Sequence, residues 1–281
     1  MKKFNIKNFG ILPDTNTLLT KEIQKIINEL PNDSVLLFPK GKYLLSTIFL
    51  KSNLTIKLED GCEILGSKNF YDYAPQEKID FPLYQDASHS YFDCSLFVGK
   101  NLKNLSIIGK GTIDMQSCWD EDNVRNIVHR GPKCIALKEC DNVLIQGIQI
   151  LNATDLAVYF AGCNNVICDH LNLKVYIDGI SPDNSKNVEI KNCKVVSGDD
   201  GIVFKSSFNL NKFDICDNIK VSDCKIRSRC NAIKLGTESN GGFKNFLFEN
   251  IDIKNTRITG ISIESVDGAH IDNIVFNNIY S

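Results

Sequence analysis

The chain has 281 residues, 43% of them hydrophobic and 23% charged, which supplies ample material for a core and excludes a disordered or fibrous protein. Its 32 basic and 34 acidic residues are mixed along the sequence for a net charge of -2, so no basic stripe marks a nucleic-acid binder. No apolar run approaches the ~20 residues of a spanning helix, and the start MKKFNIKNFGILPDTN lacks the ~7–15-residue apolar stretch of a secretory leader. The expectation is therefore a cytoplasmic protein, or a secreted one if a leader has been removed, with neither nucleic-acid nor membrane partners.

In chain order, the first predicted element is a helix over residues 16–30. NTLLTKEIQKIINEL places Leu19, Ile23, Ile26, Ile27 and Leu30 on one face before the Pro31-Asn32-Asp33 stop. Beyond it a short pattern recurs: an Asn, an apolar-x-apolar triplet, then an apolar residue or Cys six positions after the Asn. Looser copies begin at Asn53 and Asn104, and clear ones at Asn142, Asn165, Asn187, Asn218, Asn245 and Asn273. These short triplets are too rich in β-branched residues and too often broken by Asn, Gly and Asp to be helical. Strands repeating every twenty-odd residues stack in parallel, so the predicted fold is an all-β parallel β-helix, a single solenoid over residues 1–281 capped by the N-terminal helix.

The offset-six positions Ile148, Leu171, Cys193, Cys224, Ile251 and Ile279 should form one inward column. A second, two residues before each Asn, reads Cys140, Cys163, Ser185, Cys216, Phe243 and Ile271. Five of the eleven cysteines thus act as small buried hydrophobes, which argues against disulfides and metal ligation and suits a reducing compartment. The chain stops at Ser281, just after a repeat copy, so either a truncated form or an edge covered by a partner, such as a second copy of the chain, is expected.

The candidate chemistry lies where polar residues depart from the repeat. Asp178-Gly179-Ile180 and Asp200-Gly201-Ile202 are near-copies one coil apart, with Asp199 beside the second. Taken alone, each is an ordinary turn signal. Stacked on adjacent rungs, Asp178, Asp199 and Asp200 would face one patch of surface, where mutual repulsion raises one pKa and leaves another group ionised. Glycoside hydrolysis needs such a set: one acid to protonate the leaving oxygen and one carboxylate to activate water.

At these residues the sequence resembles the polygalacturonase family of glycoside hydrolases, particularly its bacterial members. FNIKNFG near the start, the stretch from Phe38 to Ser67, GKGTID from Gly109 to Asp114 with Trp119 following, and SGDDGIVFKS from Ser197 carry the resemblance over almost the whole chain. It implies that the parallel β-helix is right-handed and that the protein is an inverting enzyme without metal or organic cofactor, acting on α-linked galacturonic acid chains of pectin or on related uronic acid- and rhamnose-containing polymers. It also implies Asp199 as general acid, with Asp178 and Asp200 holding and deprotonating the water. Lys205 matches a lysine common after the Asp pair, which either contacts a substrate carboxylate or is a solvated rung charge.

Two departures from the family pattern bear on substrate. Where the family has Gly-His-Gly, this chain reads Arg229-Cys230-Asn231-Ala232, so Cys230 or Asn231 replaces the expected His and Arg229 and Asn231 are candidate substrate contacts; where it has a cationic Arg-Ile-Lys, this chain reads Ser262-Ile263-Glu264. Glu264 would repel a sugar carboxylate, leaving Arg227, Arg229, Lys234 and Arg257 as replacement cations or as ordinary exposed charges. The expected substrate is thus a rhamnogalacturonan-type or other decorated glycan rather than plain polygalacturonan. His129-Arg130, Trp119 and the turn at Glu238 are weaker candidates for lining the groove. The rival readings are a catalytically silent carbohydrate-binding β-helix and a calcium-dependent polysaccharide lyase.

Overall fold

The computed structural model describes residues 2–83, 87–123 and 130–281. In every repeat copy the Asn occupies a left-handed corner, with φ between 54° and 58° from Asn53 to Asn273. Asn tolerates that conformation because its short amide finds partners locally. Here the partners are other rungs: the side-chain amide of Asn104 donates to Asn53 at 2.7 Å, Asn165 to Asn142 at 3.2 Å, Asn218 to Asn187 at 2.6 Å and Asn273 to Asn245 at 2.8 Å. Each corner launches a short strand whose alternate residues point inward, such as buried Val143 and Ile145 around outward Leu144.

The strands stack in parallel, rung upon rung, to form a right-handed β-helix with three faces. Two faces belong to one 17-stranded sheet. The third is an 8-stranded sheet that takes one strand per coil in chain order: Ile48–Phe49, Ser95–Lys100, Lys133–Lys138, Val158–Ala161, Ile180–Asp183, Ile202–Ser206, Asn231–Ser239 and Thr259–Ile263. Both expected columns point inward. Ile148, Leu171, Cys193, Cys224 and Ile251 are at most 2% exposed, as are Cys140, Cys163, Ser185, Cys216 and Phe243, while Ile279 and Ile271 on the last rung are partly buried. Each large side chain so buried contributes about 1.5–3 kcal/mol. All eleven cysteines are free thiols and ten are buried.

The capping helix runs over Thr20–Glu29, four residues shorter at its start than the expected element. The Asp14 carboxylate accepts the Asn16 N–H at 2.7 Å, and Thr20 Oγ1 accepts the Ser46 N–H at 2.7 Å, so the preceding residues turn locally rather than wind. Ile23, Ile26 and Ile27 close the first rung as the spacing predicts. No helix among the described residues is long and apolar enough to cross a membrane.

Candidate functional site

The site grows out of register in the 8-stranded sheet. Ile180 pairs with Ile202, Ile202 with Ile233 and Ile233 with Ile261. Counting two residues back along each strand therefore stacks Asp178, Asp200, Asn231 and Thr259. The glycines that follow the two aspartates are required by close approach. A Cβ on Gly179 would lie 2.4 Å from the Gly201 carbonyl oxygen, and one on Gly201 would lie 2.6 Å from that of Ala232. The repeated Asp-Gly-Ile is thus a packing requirement for Gly joined to a polar column at Asp.

Hydrogen bonds tie the column together. The Asp200 N–H donates to Asp178 Oδ1 at 3.0 Å, while the Asn231 N–H and Nδ2 donate to Asp200 Oδ1 at 3.2 and 2.7 Å. Asp178 and Asp200 are both buried, whereas the Asp199 side chain is 38% exposed. The main-chain oxygen of Asp199 is gripped by the hydroxyls of Ser197 at 2.9 Å and Ser228 at 2.5 Å, which aims its carboxylate outward. Arg130 approaches that carboxylate at 3.8 Å and donates to Ser88 at 3.2 Å. The three sequence-predicted aspartates are therefore brought together. Burial first, and the charges of Asp200 and Asp199 second, hold the Asp178 carboxyl well above the usual range, opposed by Lys205 and Arg130.

Lys205 is neither a solvated rung charge nor free for a substrate. It is buried, with its ammonium 2.5 Å from Glu238. Burial would lower its pKa, but Glu238, Asp178 and Asp200 more than reverse this, and the pKa is raised. Burial likewise works against the charge on Glu238, yet His89 and Lys205 bring its pKa down to about 2. Asn231, also expected at the substrate, is buried and spends its amide on Asp200. Lys234 lies between Asp200 at 3.6 Å and Glu264 at 3.4 Å, and Ser262 donates to Glu264 at 2.7 Å. The repulsion expected from Glu264 is thus offset by the lysine of the rung below. Arg229 lies elsewhere, exposed on the wall of a neighbouring cavity.

Glu238, from the turn expected to border the groove, and His89, which sequence reasoning did not assign, complete a polar floor. His89 stands 4.0 Å from Glu238, and its main-chain oxygen accepts from Asn209 at 2.7 Å and from the Tyr159 hydroxyl. It comes from a segment without the repeat pattern, so only its docking on the sheet reveals it. His129 lies outside the described residues. Trp119 leans on Tyr176, ring centres 5.5 Å apart.

Ligand atoms of Asp199, Asp200 and Cys230 fall within 4.8 Å of one another, the one such cluster of metal-ligating groups among the described residues. Asp200 is already engaged by Asn231 and Lys234. Partial burial, then the charges of Asp200 and Asp199, push the Cys230 thiol up to about 12, so it stays protonated at neutral pH.

The model of glycosyl hydrolases family 28 matches residues 32–216, a stretch that contains all three aspartates. The Vitis vinifera protein named "Probable polygalacturonase" is 28% identical over 93% of this chain and 56% of its own length. The exo-poly-alpha-D-galacturonosidase of Dickeya chrysanthemi is 26% identical over 99% of this chain and 54% of its own. This chain thus spans about half the length of either relative. Among solved structures, the hyperthermoactive exopolygalacturonase of Thermotoga maritima superposes with a TM-score of 0.80 at 20% identity, covering 98% of this chain and 75% of that one. The family match over most of the chain, on a fold that assembles the carboxylates, establishes that this protein belongs to glycosyl hydrolases family 28.

Proposed function

We propose that this chain hydrolyses glycosidic bonds in pectic or related acidic glycans by a single, inverting displacement. The observation that carries the reading is the convergence of Asp178, Asp199 and Asp200 on two adjacent rungs, where burial and like charge favour retention of a proton. A coupled cluster titrates as a unit, so the proton belongs to the set rather than to one member. Asp199 is the member open to the groove. In the productive state it carries the proton and delivers it to the glycosidic oxygen as that bond breaks. Asp178 and Asp200, both then ionised, hold a water and accept its proton as its oxygen attacks the anomeric carbon from the opposite face. Asn231, Lys234 and Lys205 keep the two acceptors in place and limit their mutual repulsion, and Glu238 holds Lys205.

The names of the relatives support galacturonate polymers as the first substrates to try, and the Lys234–Glu264 pair removes the objection that Glu264 raises. The test is a panel of pectic, carboxyl-reduced and sulfated glycans assayed for new reducing ends, with the anomer formed read by proton NMR before mutarotation. Release of the inverted anomer is expected. Retained configuration, or unsaturated products, would overturn the mechanism.

A further inference from the structure

A cavity of about 520 Å³ lies against the Val175-Tyr176 and Ser197-Gly198 segments that lead into Asp178 and Asp199, although none of the three aspartates lines it. Its wall includes Ser197, Gly198 and Ser228, the segments that hold the main chain of Asp199. Lys174, Arg227, Arg229 and Arg257 also line it, and all four are exposed. Lys174 and Arg227 stand in one column, both in register with Val196. None of the four has a carboxylate within ion-pair distance among the described residues. The contrast is local: continuing the register one rung beyond Arg227 reaches Lys254, which pairs with Asp252 at 3.1 Å.

Four like charges gathered on one concave wall without counter-charges repel one another, an arrangement relieved by an anionic ligand. Three of them are arginines, whose planar forks match a carboxylate or sulfate in two parallel hydrogen bonds. Tyr176 adds an exposed aromatic surface to the same cavity, braced from behind by Trp119. An apolar ring face beside a cluster of guanidinium groups suits a sugar bearing a negative charge.

We propose that this cavity is a subsite for an acidic sugar unit flanking the cleaved bond, its ring against Tyr176 and its carboxylate or sulfate held by Arg227, Arg229, Arg257 and Lys174. The sugar nature of the ligand rests on the hydrolase reading; the anion preference stands on the cavity alone. The subsite recovers a cationic grip that Ser262-Ile263-Glu264 does not provide, from a different wall of the coil.

The test measures calorimetric binding in the Asp199→Asn background, with and without Arg227→Ala and Arg257→Ala together, after thermal melting shows both proteins folded. The probes are a galacturonate trisaccharide, its carboxyl-reduced analogue and a sulfated galactan trisaccharide. The double substitution should weaken binding of an anionic probe at least tenfold and that of the neutral analogue far less, and whichever anionic probe shows the larger loss identifies the carboxylate or the sulfate as the preferred group. Unchanged affinity for both anionic probes, or an equal loss for the neutral one, overturns the subsite. If no glycan binds, inorganic sulfate decides: its gain in thermal midpoint over sodium chloride of equal ionic strength should shrink in the double variant. A shrunken gain keeps the anion site while the hydrolase reading falls, and parity removes the site while any hydrolysis observed still stands.

Discussion

Replacing Lys205 by Met separates a buried support from a surface charge. The Lys205 ammonium and the Glu238 carboxylate meet at 2.5 Å with only 6% and 12% of their side chains exposed, so removing one leaves the other charged and largely out of water. Breaking such a pair costs about 3–5 kcal/mol. For a chain of this size that corresponds to a fall in thermal midpoint of roughly 6–20 °C. Lys205→Met with Glu238→Gln should recover most of the loss, because neither partner then carries an unpaired charge. A second effect concerns activity. Lys205 opposes the upward shift of Asp178, so its removal should raise the proton affinity of the carboxylate cluster and move the alkaline limb of the kcat–pH profile to higher pH. The assay is a melting series on the single and double variants together with pH–rate profiles. A single variant as stable as its parent, with an unmoved alkaline limb, would refute the reasoning and return Lys205 to the surface.

Asp178→Asn should be more stable than the parent at neutral pH. The folded-state pKa of Asp178 is raised, so its stability contribution is fully present below the unfolded value of about 3.9 and is lost as pH rises through the folded value. Asn escapes that loss and can still accept the Asp200 N–H, so the gap should close as the solution is acidified towards pH 4; melting curves that show a pH-independent gap would count against it. Asn231→Ala removes the 2.7 Å side-chain bond to Asp200, a charge-assisted contact worth about 1.5–3 kcal/mol, and should lower kcat by roughly 10- to 100-fold with a smaller change in KM. Steady-state kinetics in which KM alone moved would mark Asn231 as a substrate contact instead.

Much of the fold was legible because the same local solution recurs on every rung. The Asn corner, the alternating triplet and the inward Cys or Ile at a fixed offset are each sequence-local, so period and column assignments survive loops of different length. The aspartates were legible for the same reason, since a one-coil separation converts directly into stacking. What escaped depends on breaks in that regularity. Glu238 meets Lys205 across 33 residues, where the register shifts between Phe204 and Ser206, so counting by constant offset cannot pair them. His89 contacts Asn209 across 120 residues from a segment that obeys no repeat. Glu264 read alone is a repulsive charge, and only the neighbouring rung supplies Lys234. Lys205 and Asn231 look in sequence like any polar residues near a site, whereas burial separates such supports from the groups that face the groove.

The central claim is that Asp199, poised outward from a protonated cluster, donates the proton on which bond cleavage depends. The direct measurement is kcat of Asp199→Asn on the glycan that the parent cleaves fastest, with thermal melting alongside. A general acid contributes about 10²–10⁴-fold to rate, so turnover should fall by that factor. The melting temperature should stay within a few degrees, because the half-exposed carboxylate has only a loose 3.8 Å contact with Arg130 and the neighbouring Cys230 thiol to lose. A variant that keeps more than a tenth of parental turnover, or one that unfolds, would contradict the account.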